Sequence, residues 1–116
     1  MDDFKKLTLQ VKKFMKEREW DKGREAKDEA IDMCVESGEV LEFFQWKKGK
    51  ELDDYIKANK NKIGEELADV LYALLLLSDL LKIDMKKAFL NKMKKNALKY
   101  PINKAKGNHK KYTEFN

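Results

Sequence analysis

Apolar residues recur at intervals of three and four along most of this chain, and only a helix has that period. Phe4, Leu7, Val11, Phe14 and Met15 share one face of a segment over residues 2–19. Ile31, Cys34, Val35, Leu41 and Phe44 form a broad apolar face over residues 28–48. A third segment spans residues 63–81, and in a fourth, over 84–98, Met85, Phe89, Met93 and Ala97 recur every four residues. Gly23 falls in a break, Gly49 is a stop, Asp84 is a good N-cap, and Pro101 ends the fourth helix because the residue before a proline avoids helical backbone. Residues 50–62 have only Leu52, Tyr55 and Ile56 as anchors and read as a short helix or an ordered loop. One proline and five glycines exclude collagen-like, linker-rich and many-turned β architectures. The pattern predicts an all-α bundle of four main helices over residues 1–100, with a basic tail at 101–116 that lacks apolar periodicity.

A chain of 116 residues is one domain by default, and 42% apolar content against 41% charged supplies one thin core. The eight-residue apolar run at 70–77 is far short of the about 20 residues a membrane span needs. It is wide enough to suggest a contact between copies of the chain. With no leader segment and no span, a soluble, cytoplasmic protein is expected. A single cysteine, Cys34, excludes a disulfide framework and any Cys-only zinc site, and its neighbours Ile31, Met33 and Val35 mark it as a small core residue. His109, in the polar tail, reads as solvated. No P-loop, dinucleotide fingerprint or Ser/His/Asp arrangement is present.

Charge is unevenly spread. Residues 1–81 hold 15 basic and 19 acidic side chains, and residues 82–116 hold 11 and 2. An acidic body beside a basic segment suits a site that binds cations and an anionic substrate together. The acids themselves are informative. Glu36 and Glu39 are three apart, as are Glu66 and Asp69, so each pair projects from one helix face. Val35, Val40, Phe43, Leu67, Val70 and Leu71 crowd them. Carboxylates near such surfaces must be paired, protonated or bound to a cation. Four of them from two packed helices form an oxygen-rich site for Mg²⁺ or Mn²⁺. Glu42 and Glu65 read as surface or supporting residues. The competing reading is two ordinary solvated acidic pairs.

The words around these acids resemble the MazG-like all-α nucleotide pyrophosphohydrolases, in the single-domain branch that includes dCTP pyrophosphatases. Glu36-Ser37-Gly38-Glu39-Val40-Leu41-Glu42-Phe43-Phe44-Gln45-Trp46 resembles the second-helix block, and Glu65-Glu66-Leu67-Ala68-Asp69-Val70-Leu71 the third. Lys92-Met93-Lys94-Lys95-Asn96-Ala97-Leu98-Lys99-Tyr100-Pro101 resembles the fourth-helix ending, and Lys104-Ala105-Lys106-Gly107 with Lys110-Lys111-Tyr112-Thr113 the tail. The resemblance implies hydrolysis of a nucleoside triphosphate to the monophosphate and pyrophosphate, with magnesium held by Glu36, Glu39, Glu66 and Asp69 and a water activated by Glu36 or Glu39. It implies phosphate contacts from Lys92 and Asn96, with Lys95 a weaker candidate, and contacts around the base from Trp20, Trp46 and Tyr72. It also implies a homodimer or homotetramer in which Trp20, Trp46 or the tail acts across an interface.

Two positions depart from the family pattern, and at a third the register is open. Tyr72 sits at the family's tyrosine position or one residue before it, Asp28 stands where relatives often have asparagine after a lysine, and Val11 stands where animal dCTP enzymes have histidine. Two rival readings remain: a basic helical module that binds nucleic acid or an acidic partner, and a non-catalytic regulator of the same fold. The intact set of four acids weighs against the second, and the first predicts strong salt-dependent DNA or RNA binding without metal-dependent pyrophosphate release.

Overall fold

A computed structural model describes residues 1–116 and contains helices only. Helix α1 covers Asp3–Glu17, α2 Ala26–Glu42, α3 Gly49–Ala58, α4 Lys60–Leu80, α5 Met85–Lys99 and α6 Ile102–Ala105, with a 3₁₀ turn at Tyr112–Glu114. The four long segments of the sequence are thus α1, α2, α4 and α5. Residues 50–62 take the helical option, forming most of α3 and the start of α4. No helix is long and apolar enough to cross a membrane.

Local chemistry fixes the ends. The Asp2 carboxylate accepts the Lys5 N–H at 2.8 Å, and the Asp84 carboxylate accepts the Lys87 N–H at 3.0 Å. Helix α1 closes with Glu19 in left-handed backbone, φ 57°, and the Trp20 N–H donates to the Met15 carbonyl at 2.9 Å. Helix α4 closes the same way, with Lys82 at φ 58° and the Ile83 N–H on the Ser78 carbonyl at 2.8 Å. Both are Schellman reversals built without the usual glycine.

Helix α2 stops at Glu42, short of the expected Lys48. Phe43, Phe44 and Gln45 tighten the chain by donating to the Val40 and Leu41 carbonyls, and Trp46 then turns left-handed at φ 66°. Gly49, at φ 61°, opens α3 and does not close α2.

The chain forms two compact units, Met1–Ile83 and Asp84–Asn116. In the first, α4 is the central element: α2 lies along it, α1 packs on it, and α3 touches it. The buried apolar core is small, comprising Met15, Ile63, Ala73, Leu75 and Leu76. The run at 70–77 is covered largely within the chain, since Ala73, Leu75 and Leu76 are buried and Val70, Leu71, Leu74 and Leu77 half-buried. The surplus apolar surface lies elsewhere, on Ile31, Val35, Leu41 and Leu67. The apolar face expected on α2 is therefore turned outward in part, and Cys34 is exposed, not core. Acids take its place: Glu29 is buried, and Asp32, Glu36 and Glu39 are half-buried.

In the second unit the tail is ordered by aromatic packing. Tyr100 meets Tyr112 and Phe115 edge-on, at centroid distances of 6.1 and 5.7 Å, and the Lys99 ammonium lies 4.8 Å from the Tyr112 ring centroid.

Candidate active site

Glu36 and Glu39 from α2 meet Glu66 from α4, each offering a carboxylate oxygen within 4.8 Å of the others. All three are half-buried. Oε2 of Glu36 and Oε2 of Glu66 are shielded from solvent and have no hydrogen-bond partner. Burial is the main cause that drives the Glu36 pKa from 4.5 to about 7, followed by the adjoining Glu39 carboxyl and the charges of Asp69 and Glu66. The Glu66 carboxyl is also raised, chiefly by the adjoining Glu39 carboxyl and then by burial. Asp69 is exposed and stands outside the three-acid cluster, yet its charge raises both glutamates. Shielded, unpartnered oxygens from hard donors, repelling one another, fit a hard divalent cation such as Mg²⁺ or Mn²⁺.

Glu36 and Asp69 also line a cavity of about 470 Å³ with Gln10, Val11, Phe14, Trp20, Asp32, Tyr72 and Ala73. The Schellman reversal after α1 folds the Trp20 ring back edge-on to Phe14, at 5.7 Å. Phe14 in turn meets Tyr72 edge-on at 6.2 Å. The Tyr72 hydroxyl donates to the Met15 sulfur, and burial raises the phenol's pKa. One cavity thus joins an aromatic wall to part of the acid cluster.

Trp46 is not in that cavity: its side chain is 95% exposed. Lys92 is exposed and Asn96 half-buried, both on α5 in the second unit.

Sequence reasoning missed one polar cluster. Arg24, before α2, donates through Nε to Glu29 Oε1 and through a terminal nitrogen to Asp32 Oδ2, at 2.6 Å for the latter. Glu29 is 1% exposed, and its carboxylate holds the Arg24 guanidinium more firmly charged than usual. The signal was available. Glu29, Asp32, Glu36 and Glu39 are spaced three, four and three apart, so the acid stripe on α2 extends two turns further than its recognised half. Gln10 and Phe14 as cavity walls gave no comparable signal.

The chain is 31% identical to human (Homo sapiens) dCTP pyrophosphatase 1 and 30% identical to the rat (Rattus norvegicus) protein, in both cases over 99% of this chain and 67% of the relative. The crystal structure of a pyrophosphatase from Archaeoglobus fulgidus superposes with a TM-score of 0.80 at 33% identity, over 87% of this chain and 94% of that one. Residues 31–115, which include every acid of the cluster, match the MazG-like family, and the chain belongs to that family.

Proposed function

We propose that this chain is a magnesium-dependent nucleoside triphosphate pyrophosphohydrolase that yields the monophosphate and pyrophosphate, takes dCTP among its preferred substrates, and serves to clean the nucleotide pool. That it is a nucleotide pyrophosphohydrolase follows from its family and relatives. One observation carries the finer reading: two shielded, unpartnered glutamate oxygens in a three-acid cluster that shares Glu36 with an aromatic cavity.

Glu36, Glu39, Glu66 and Asp69 would hold the magnesium, or manganese in its place. When bound, the ion supplies charge neutralisation for the triphosphate and a more acidic water. Glu36 or Glu39 orients and deprotonates the attacking water. Without a cation the Glu36 carboxyl sits at about 7, so it is the group whose proton a bound cation would displace. Trp20 and Tyr72 hold the base by ring contacts, which alone tolerate any base. Lys92 and Asn96, one helical turn apart on α5, contact the phosphates.

A homodimer or homotetramer is part of the proposal. The small core and the exposed Ile31, Val35 and Leu41 support it. So does Trp46, a fully presented indole on left-handed backbone, a conformation that costs a non-glycine residue about 1–3 kcal/mol. Such a ring is available to a second copy's site. Nucleic-acid binding is the rival reading for the basic segment at 82–116, and it predicts salt-dependent DNA or RNA binding without pyrophosphate release.

A panel of nucleoside triphosphates with Mg²⁺, scored for the first inorganic product, tests the reaction. Pyrophosphate is expected, and orthophosphate released first would overturn the proposed bond cleavage.

A further inference from the structure

We infer that Asp32 reads the base: its free carboxylate oxygen accepts a hydrogen bond from an exocyclic amino group, so the aromatic cavity selects bases that carry one. The inference rests on the cavity's being the nucleotide site proposed above. Asp32 lies one turn before Glu36 on α2 and lines the same cavity as Phe14, Trp20 and Tyr72. Its Oδ2 accepts from Arg24 at 2.6 Å, and no hydrogen bond reaches Oδ1. Arg24 is shared with Glu29, but the two carboxylates differ sharply in exposure. The Glu29 side chain is 1% exposed and the Asp32 side chain 49%. One acid is sealed in as the arginine's counter-ion; the other is held through one oxygen at the wall of the cavity, with its second oxygen unbonded.

The remaining polar groups of the cavity are otherwise employed or placed. The Tyr72 hydroxyl is committed to Met15, Glu36 and Asp69 belong to the acid region, and Gln10 is an exposed amide on α1. Asp32 is therefore the one acceptor held in a fixed orientation beside the aromatic rings. An ionised carboxylate accepts and never donates, and it repels phosphate. Its ligand must supply a donor hydrogen. Cytosine does so through its amino group, and adenine and guanine carry one too. Uracil and thymine have a carbonyl oxygen where cytosine has the amino group and their N–H one ring atom away, so in the cytosine pose two acceptors would stand face to face. Arg24 acts here as a positioning residue.

The sharpest comparison uses pyrimidines that differ at this group. Calorimetry on the full chain without divalent cation should find dCMP bound at least about tenfold more tightly than dUMP, the scale of one hydrogen bond to a charged group. Asp32→Asn keeps an oxygen for Arg24 and turns an amide donor to the cavity, so the preference should vanish or invert. Asp32→Ala should bring the ratio to about one, and it decides the matter if the asparagine variant melts before assay. The ratio of kcat/KM for dCTP over dUTP should follow the binding ratio. Equal or absent binding of the two monophosphates by the unaltered protein overturns the inference, as does a preference that survives both substitutions or an equal loss for both pyrimidines. If pyrophosphate is never released but the dCMP preference is present and depends on Asp32, the reaction proposed above fails and the base-reading role stands.

Discussion

Along α2, Glu29 and Asp32 meet a cation that the chain itself supplies, whereas Glu36 and Glu39, one and two turns farther on, meet only further carboxylates. The stripe is continuous and the backbone regular, so the difference is electrostatic. At one end Arg24 bonds one oxygen of Glu29 and one of Asp32, so the almost fully buried Glu29 has a counter-ion although its Oε2 has no hydrogen-bond partner. At the other, burial and mutual repulsion lift Glu36 to about 7 and leave two glutamate oxygens unpartnered. A helix can thus carry acids inward either by bringing its own counter-ion or by leaving the place of one to a ligand. The first makes structure, and the second makes a site.

That contrast can be broken by substitution. The largest effect is expected from Glu39→Gln, which removes a donor shared with both Glu36 and Glu66: pyrophosphate release should fall about 10³-fold, since metal-borne charge stabilisation is worth several kcal/mol. Circular dichroism should show the helices intact, and a variant keeping more than a tenth of the activity would contradict the assigned role. Next is Arg24→Met, which strands Glu29 in the interior. Urea denaturation should show a loss of about 3–5 kcal/mol, largely recovered by adding Glu29→Met, because a broken buried pair is worse than none. A loss under about 1 kcal/mol would mean that Glu29 is not held as an ion.

Substitution at the other end should act in the opposite sense. Glu36→Gln relieves repulsion, so the metal-free protein at pH 8 should melt about 2–4 °C higher. A lower midpoint would mean that Glu36 stabilises the fold without a cation. The pH dependence sharpens the same point. Because the Glu36 pKa is raised, the folded chain keeps a proton that the unfolded chain loses between about 4.5 and about 7. Stability from this group is therefore greatest below that window, falls as pH rises through it, and is level above. Magnesium competes with that proton, so its apparent affinity should rise by up to about tenfold per pH unit until about pH 7. Thermal melts with and without Mg²⁺ from pH 5 to 8.5 check both signs. The smallest stability effect belongs to Trp46→Ala, within about 0.5 kcal/mol for so exposed a ring. If the indole serves a second copy, activity drops while that stability holds, and light scattering reads the assembly directly.

The helices were legible because their periodicity is local: α1, α4 and α5 lie within a few residues of where spacing and caps put them. The convergence of Glu36, Glu39 and Glu66 could be read for the same reason, from pairs three apart beside apolar words, while Asp69 lies exposed outside that cluster. Other features depend on what lies across the chain. Position 34 reads as core beside Ile31 and Val35, but that face of α2 turns to solvent because the acid stripe takes the inner one. The end of α2 at Glu42 is set by turn bonds among Phe43, Phe44 and Gln45, for which the sequence carries neither proline nor glycine until position 49. Glu29 and Asp32 stayed hidden because their meaning lies in Arg24, whose approach to α2 is a loop geometry with no spacing rule. The ordered tail depends on Tyr100 finding Tyr112 and Phe115, residues too far apart for helical periodicity to register.

The most direct measurement is calorimetric titration of Mn²⁺ into the full chain at pH 8, alongside Glu36→Gln and Glu66→Gln. Saturable binding to the unaltered protein, weakened at least about tenfold in either variant, is the predicted outcome, as for loss of one carboxylate from a shared cation site. Identical isotherms for all three proteins would contradict it, and with it the assignment of α2 and α4 as the walls of a metal-dependent active site.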